Sequence, residues 1–305
     1  MKRIEFELKP ERPYSLSQTV ARLVRFSDLV DRMSDGGRYS RCLHLNGEIA
    51  LMTVTQSGSP ARALLHVTLV GDSLDPSRAR ADAERIIRRS LGVGCPLRRF
   101  YNSFRDDPLL ADSIRAHHGM SICGGVTLFE AIVSSILAQQ INLTFAYSIY
   151  QSLAQRYGER LEVEGEEFVA FPTPERIARV RHATLRNLKL SNAKAGTIHR
   201  VALAFAKREL DAAELDTLED EAVIERLVAY KGIGRWTAET AMIRGLGRLD
   251  VFPAGDLGVV KKIAVEMLGR KGVASEAEMR SFSQQWRPYR SLALIYAYAT
   301  LYKTP

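Results

Sequence analysis

The amino-acid sequence predicts an α+β protein: a small N-terminal antiparallel sheet domain with two helices, residues 1–92, followed by an all-helical region, residues 93–305. Its 305 residues correspond to about two domains at the usual ~150 residues each. Alternation of apolar and charged residues, which is typical of half-buried strands, occurs in the first part. After Leu97 the segments read as helices separated by Gly, Pro, Asn or Ser, which predicts the helical second part.

The first strand and the first helix follow from local patterns. Ile4, Phe6 and Leu8 alternate with charged residues, which predicts a strand with one buried face that ends before Pro10. Ser15 is followed by a glutamine three residues later, the spacing of a capping box, and an apolar stripe at helical spacing comes next. We therefore expect a helix to begin after Ser15.

The rest of the N-terminal part contains a hairpin and a second helix. The dipeptide Asn46-Gly47 is a strong turn signal, because both residues tolerate positive φ. Asp75 and Pro76 match the N-cap and first position of a helix, which Gly92 can close. The strands predicted around these signals are 39–45, 48–55 and about 61–70, giving a β-α-β-β-β-α unit.

The second part is predicted to contain helices only. Gly94-Cys95-Pro96 is the expected joint between the two parts. The predicted helices are 106–117, 126–140, 142–157, 174–180, 191–207, 220–230, 235–245, 257–268, 276–284 and 289–302.

Charge is distributed unevenly along the chain. The formal net charge is +8, with +7 on residues 1–105, −5 on 106–228 and +6 on 229–305. Two basic regions could form one surface that binds a polyanion, since Lys and Arg opposite phosphates gain from counterion release. A solvated, Arg-rich surface would have the same composition, so charge alone leaves both interpretations open.

Several functional classes are excluded by what the sequence lacks. No apolar run approaches the ~18 residues of a membrane span. The cysteines Cys42, Cys95 and Cys123 are far apart and form no metal or disulfide spacing, and the six histidines show no ligand motif. No phosphate-loop or dinucleotide fingerprint is present. We expect a cytoplasmic protein without membrane contact, with no metal-ligating residues and with no cofactor; whether a monovalent metal ion binds the hairpin carbonyls stays open.

One short turn carries the main functional signal. Lys231, Gly232, Ile233, Gly234 and Arg235 join two predicted helices in a hairpin at about 222–245. The two glycines expose backbone N–H groups at the start of the second helix, where unpaired donors and the helix dipole attract an anion such as a phosphate. Ile233 is expected to pack inward and hold the helices together.

A lone carboxylate follows the hairpin. Asp256 lies in a loop at about 250–258 that contains Pro253 and precedes the next predicted helix. Taken alone, Asp256 is an ordinary helix N-cap. The combination of glycine hairpin, helix, short loop and carboxylate makes a catalytic role a second interpretation.

With these motifs the sequence resembles the helix-hairpin-helix (HhH-GPD) base-excision DNA glycosylases, and within them the bacterial DNA-3-methyladenine glycosylase II branch. The resemblance extends over roughly residues 126–302, and the first ~92 residues match the small N-terminal sheet domain of that branch in element order. The other segments that carry it are Leu128–Ile132, Ile136–Ile141, Tyr157–Arg160, Phe171–Pro174 and Trp286–Ser291.

The resemblance implies roles for particular residues. Asp256 takes the position of the catalytic carboxylate. Trp236 stands where members that also cut the DNA backbone carry a lysine, which implies a monofunctional enzyme, and Tyr298 falls where a tryptophan of the base pocket lies. Without the family, Trp236 could be a core aromatic, and Tyr298 could pack against Tyr302. Gln139 and Gln140 fall where the family inserts a wedge into the duplex.

The resemblance also implies a function. A monofunctional glycosylase would flip an alkylated, 3-methyladenine-type base out of double-stranded DNA containing damaged bases and hydrolyse its N-glycosidic bond. We expect it to act as a monomer. Two alternatives remain open: a non-catalytic DNA-binding protein that uses the hairpin, for which Asp256 would be unnecessary, and a related glycosylase specific for uracil or deaminated purines.

Overall fold

The N-terminal part folds into a five-stranded antiparallel sheet. A computed structural model describes residues 1–25 and 29–301. The strands are β1 (Lys2–Leu8), β2 (Arg32–Met33), β3 (Tyr39–Leu45), β4 (Glu48–Ser57) and β5 (Leu64–Gly71), in the spatial order β1-β5-β4-β3-β2. Asn46 and Gly47 turn between β3 and β4 with φ of 53° and 85°, so the predicted hairpin is confirmed.

Two helices cover one face of this sheet. Helix α1 (Leu16–Val24) begins at Ser15, whose hydroxyl accepts the backbone N–H of Gln18. Helix α2 (Pro76–Ser90) begins at Asp75, whose carboxylate accepts the N–H of Arg78. The apolar faces of the sheet and both helices form one buried core, which includes Val93. The α+β class predicted from the sequence is confirmed.

The rest of the described chain is mostly helical and surrounds a second core that includes Cys95 and Leu97. Among the described residues, no helix is long and apolar enough to cross a membrane. The division into two domains at 92–93 stays a prediction. The helices are α3 (Leu97–Phe104), α4 (Ala111–Ala116), α5 (Leu128–Ala138), α6 (Leu143–Tyr157), α7 (Pro174–Ala178), α8 (His182–Leu185), α9 (Asn192–Ala206), α10 (Ala212–Asp216), α11 (Asp220–Val228), α12 (Arg235–Ala241), α13 (Glu276–Phe282) and α14 (Arg290–Leu301).

Two helical segments have wide, π-helical turns. Helix α12 continues without a break into a π-helix at Met242–Leu246, and a longer π-helix covers Gly258–Met267. π-helical turns often occur at functional sites. Both π-helices here border the loop that contains Asp256.

The prediction of an entirely helical second part is wrong at one place. Strands β6 (Arg160–Val163) and β7 (Glu166–Val169) form an antiparallel hairpin that packs against the N-terminal sheet, with Leu161 and Val163 contacting the cluster around Cys42 and Leu51. Each strand has only four residues, so its alternation is too short to stand out from the flanking helices. The helix predicted at 106–117 is shorter, α4, and α3 lies before it; Tyr302, predicted to end the last helix, lies outside the described residues.

A buried charge network connects the N-terminal sheet to the helices. The guanidinium of Arg41, on β3, donates to Asp31 (2.8 Å) and to Glu130 on α5 (2.6 Å). Tyr39 donates to Asp31 (2.6 Å), and Tyr150 on α6 donates to Glu130 (2.8 Å). All these groups are buried. Removing one member of such a cluster leaves its partners charged and desolvated, which is more costly than losing an exposed ion pair.

Replacing Arg41 therefore tests the connection. We expect Arg41→Met to lower the free energy of unfolding by about 3–5 kcal/mol, because Asp31 and Glu130 lose their cation in a buried setting. The control is Arg88→Met, which removes an exposed i,i+4 pair with Glu84 and should cost less than about 1 kcal/mol. Urea unfolding measures both, and equal losses would show that the buried network is no more important than a surface pair.

Candidate active site

The hairpin predicted from the sequence is a tight turn between α11 and α12. The N–H of Ile233 donates to the carbonyl of Tyr230 (2.9 Å), and the N–H of Ala238 donates to the carbonyl of Gly234 (3.0 Å). Ile233 is buried, as expected, while Lys231, Gly232 and Gly234 are exposed. The turn therefore presents its glycine backbone to solvent and its one apolar side chain to the core.

The two glycines of the turn differ in how much room the fold leaves at each. Gly232 has a φ of +98°, and a Cβ there would lie 2.0 Å from Oγ1 of Thr197 on α9. Gly234 has ordinary φ, and a Cβ there would meet open space. The fold therefore requires glycine at position 232. At position 234 the fold would accept a side chain, and glycine there keeps the surface free for a ligand to approach the backbone.

Side chains from neighbouring helices brace the turn from behind. Nε2 of Gln139, at the end of α5, donates to the carbonyl of Gly232 (3.1 Å) and to Oγ1 of Thr237 (2.9 Å). Nζ of Lys194 donates to the carbonyls of Leu137 (2.8 Å) and Gln139 (2.7 Å), and burial lowers the pKa of this amine. These contacts fix the end of α5 against the hairpin.

The two glutamines predicted as wedge candidates are therefore placed differently. The side-chain amide of Gln139 donates to Gly232 and Thr237 and so faces the hairpin. Gln140 is exposed and adopts a positive φ of 53°, which non-glycine residues seldom do and which directs the chain sharply away from α5. The wedge role remains a prediction, and the geometry leaves Gln140 as its better candidate.

Arg235 also belongs to the frame of the hairpin. Its guanidinium donates to both carboxylate oxygens of Glu221 on α11 (2.5 and 2.8 Å) and to buried Glu239 (3.0 Å). The hydrogen bond to Glu221 raises the pKa of Arg235, while burial raises the pKa of Glu239 against the opposing effect of Arg280 and Arg235. These pairs hold α11 and α12 together; a DNA contact by Arg235 stays a prediction.

Asp256 is held by three donors that come from three elements. Nε1 of Trp236, on α12, donates to Oδ2 (2.7 Å). The hydroxyl of Tyr298, on α14, donates to Oδ1 (2.5 Å), and the backbone N–H of Gly258 donates to the same oxygen (2.8 Å). Both oxygens of the carboxylate thus accept hydrogen bonds, as suits an ionised, acceptor-only group. The structure brings together the three residues that the sequence singled out.

Asp256 is an N-cap in the structure, and its catalytic role stays a prediction. It caps the helix that follows, through the N–H of Gly258 and through its own carbonyl, which accepts the N–H of Val260 (2.9 Å). It is also only half-buried, as are Trp236 and Tyr298, so the cluster is partly open to solvent. A carboxylate that served only as a cap would not need the indole and the phenol.

Gly258 is a site residue that the sequence reasoning missed. A Cβ there would lie 2.9 Å from the Tyr298 ring and 3.0 Å from Oδ1 of Asp256. The signal available in the sequence was a glycine two residues after the carboxylate, at the start of a helix where glycine is unfavourable. Its absent side chain leaves the space in which the phenol reaches the carboxylate.

Residues 133–288, about half of the chain, match the family of HhH-GPD superfamily base excision DNA repair proteins. The chain belongs to this superfamily.

Several proteins similar to this HhH-GPD protein are named DNA-3-methyladenine glycosylases. The DNA-3-methyladenine glycosylase of Bacillus subtilis (strain 168) is 32% identical over 204 residues, 67% of this chain and 67% of that protein. DNA-3-methyladenine glycosylase 2 of Escherichia coli (strain K12) is 30% identical over 185 residues, 61% of this chain and 62% of that protein. The structure of 3-methyladenine DNA-glycosylase from Archaeoglobus fulgidus, at 24% identity, covers 96% of this chain and 97% of its own with a TM-score of 0.82, which shows the shared fold. The matches span between half and two thirds of the length of most of these relatives.

The two hairpin glycines give a matched pair of variants in this HhH-GPD protein. Gly232→Ala should lower the free energy of unfolding by about 2–4 kcal/mol, from left-handed strain and displacement of Thr197. Gly234→Ala should cost less than about 1 kcal/mol, because space is open and only an N-cap preference is lost. Chemical denaturation compares them, and a larger loss for Gly234→Ala would contradict the geometry.

Proposed function

We propose that this protein is a monofunctional DNA glycosylase that flips alkylated, 3-methyladenine-type bases out of double-stranded DNA and hydrolyses their N-glycosidic bonds. The observation that carries the proposal is the half-buried Asp256 carboxylate, held by Trp236, Gly258 and Tyr298 beside the second helix of the hairpin. Superfamily membership and the names of the relatives support it. A hairpin used only to bind DNA would have no need of this carboxylate.

Asp256 acts on the sugar. Loss of the base leaves the deoxyribose with oxocarbenium character at C1′, and a fixed negative charge beside it is stabilising because it is in place before the charge develops. Asp256 can also orient the attacking water. An alkylated purine is already cationic and leaves as a neutral base, so protonation of the leaving group is less necessary than in the hydrolysis of an O-glycoside.

Trp236 and Tyr298 have two functions in this proposal. Their donor groups fix the orientation of the Asp256 carboxylate, so that its charge needs no rearrangement during the reaction. Their ring faces can stack on the flipped base, and a cationic base gains about 0.5–2 kcal/mol from such stacking. The enzyme would thereby favour bases that alkylation has made electron-poor.

The hairpin positions the duplex. The backbone N–H groups of Gly232 and Gly234 would donate to phosphate oxygens without reading sequence, and the exposed amine of Lys231 would add a salt-dependent contribution. Gln140 would enter the gap that the flipped base leaves. We further propose that the protein acts as a monomer, since one chain supplies every group that this mechanism uses. We also propose that it acts in the cytoplasm.

The first test replaces the carboxylate. Asp256→Asn keeps the size and N-capping ability of the side chain but removes its charge, so we expect base release to fall at least about 100-fold while duplex affinity is retained. Single-turnover release of 3-methyladenine and duplex binding measure the two effects. Asp250→Asn, in the same loop but paired with Arg287 and Arg290, is the control and should retain release. Near wild-type release by Asp256→Asn would refute the mechanism.

The second test concerns covalent chemistry. Strand cutting through a Schiff base needs an unprotonated lysine at C1′, and the indole of Trp236 has only an N–H donor. We expect no protein–DNA adduct when borohydride is added during turnover, and strand breaks only after hot alkali. Trp236→Lys should lose most alkyl-base release. An adduct formed by the unchanged protein would show that another amine, such as that of Lys261, reaches the sugar.

A further inference from the structure

One face of the hairpin's second helix remains accessible along its whole length. From Trp236 to Leu246 most residues are buried, and the half-buried ones are Trp236, Thr240 and Arg244. Their spacing is i, i+4 and i+8, which places them on one side of the helix, one above the other. Because Trp236 donates to Asp256, this stripe begins at the proposed active site.

The stripe has a direction relative to the substrate. The proposed phosphate-binding turn, Gly232 to Gly234, lies at the N-terminal end of the helix, and Trp236 marks the position of Asp256 and hence of C1′. Arg244 is eight residues further on, about two helical turns, and lies in the π-helical segment that continues α12. The Cα–Cβ bond of a helical residue tilts toward the N-terminus of the helix, so the side chain of Arg244 starts out in the direction of Trp236. A base attached at C1′ and directed away from the phosphates would extend toward Arg244.

Arg244 differs from the other arginines of this region. Arg235 and Arg280 pair with Glu239, and Arg248 donates to the carbonyls of Leu215, Asp216 and Leu218. The guanidinium of Arg244 makes no hydrogen bond or ion pair with any residue in the described ranges 1–25 and 29–301. A guanidinium has five N–H donors in a fixed fork, and a half-buried one without acceptors is suited to an acceptor that arrives with a ligand.

The charges around Arg244 come from several elements. Burial lowers the pKa of Arg244 most, and the like charge of Arg22 on α1 lowers it further, whereas Tyr147, Cys123 and Asp256 act in the opposite direction. The guanidinium of Arg22 also makes no hydrogen bond or ion pair with the described residues. The stripe therefore runs from the negative charge of Asp256 to the positive charge of Arg244.

We propose that Arg244 is a specificity-determining residue that donates hydrogen bonds to the edge of the flipped base remote from the sugar. This inference rests on the proposed glycosylase function and extends it to the choice of lesion. A donor at this edge favours purines with a carbonyl oxygen at C6, as in 7-methylguanine, and disfavours those with an amino group there, as in 3-methyladenine. Arg244 would thus widen the substrate range toward alkylated guanines.

The test uses a competition within one DNA sample. DNA treated with dimethyl sulfate contains both 7-methylguanine and 3-methyladenine, and chromatography with mass detection gives the ratio of the two released bases. Arg244→Met should lower this ratio about tenfold or more, because a hydrogen bond with a charged donor is lost only for the guanine. Arg244→Lys, which keeps a cationic donor, should restore the ratio toward the wild-type value. Partial unfolding reduces both yields equally and does not alter the ratio.

A matched control and a second readout identify the alternatives. Arg248→Met removes an arginine four residues away that is bound to backbone carbonyls, and it should leave the ratio unchanged. Binding to a duplex with a tetrahydrofuran abasic site, which has no base, should be unaffected by Arg244→Met. A loss of that binding with an unchanged ratio would mean that Arg244 contacts a phosphate, and an unchanged ratio with unchanged binding would give Arg244 no part in recognition. If the wild-type protein releases neither base, the proposed function itself fails.

Discussion

The carboxylate of Asp256 is the point at which three elements meet, two of them distant from it in the sequence. Its hydrogen bonds come from the helix after the glycine hairpin, from the start of the π-helix and from the last helix, through Trp236, Gly258 and Tyr298. A short polar side chain can accept from all three only if those elements approach closely, and Gly258 permits this by having no Cβ. The same contacts that fix the fold around the loop therefore also orient the group to which we assign the chemistry.

Helix α5 connects the hairpin beside this site to the N-terminal sheet. At its start, Glu130 joins the buried network of Arg41, which fixes the N-terminal sheet. At its end, Gln139 donates to the hairpin carbonyl of Gly232 and to Thr237, one residue after Trp236. One helix thus connects the sheet to the turn that we expect to bind phosphate. A role for the N-terminal part in holding α5 in place follows from these contacts, whether or not it contacts DNA.

Much of this architecture could be predicted because local chemistry determines it. Asn46-Gly47 specifies its hairpin, Asp75-Pro76 its helix, and the glycines at 232 and 234 their turn without help from distant residues. The strands at 160–163 and 166–169 could not be predicted, since they are stabilised by packing on Cys42 and Leu51 more than by their own pattern.

The site shows the same division between local and long-range information. The sequence singled out Trp236, Tyr298 and Asp256 one by one through a family resemblance. It gave no sign that the indole and the phenol both donate to the carboxylate, or that Gln139 faces the hairpin while Gln140 faces solvent. Those facts depend on how helices far apart in the chain are packed, which no short motif records.

The central claim is that the charge of Asp256 stabilises a positively charged sugar, and binding of a transition-state mimic tests it most directly. Affinities should be compared for two duplexes, one with a cationic pyrrolidine in place of the sugar and one with a neutral tetrahydrofuran. Wild-type protein should bind the cationic duplex at least tenfold more tightly, and Asp256→Asn should bind the two about equally. A preference for the cation that survives in Asp256→Asn would contradict the assignment of that stabilisation to this carboxylate.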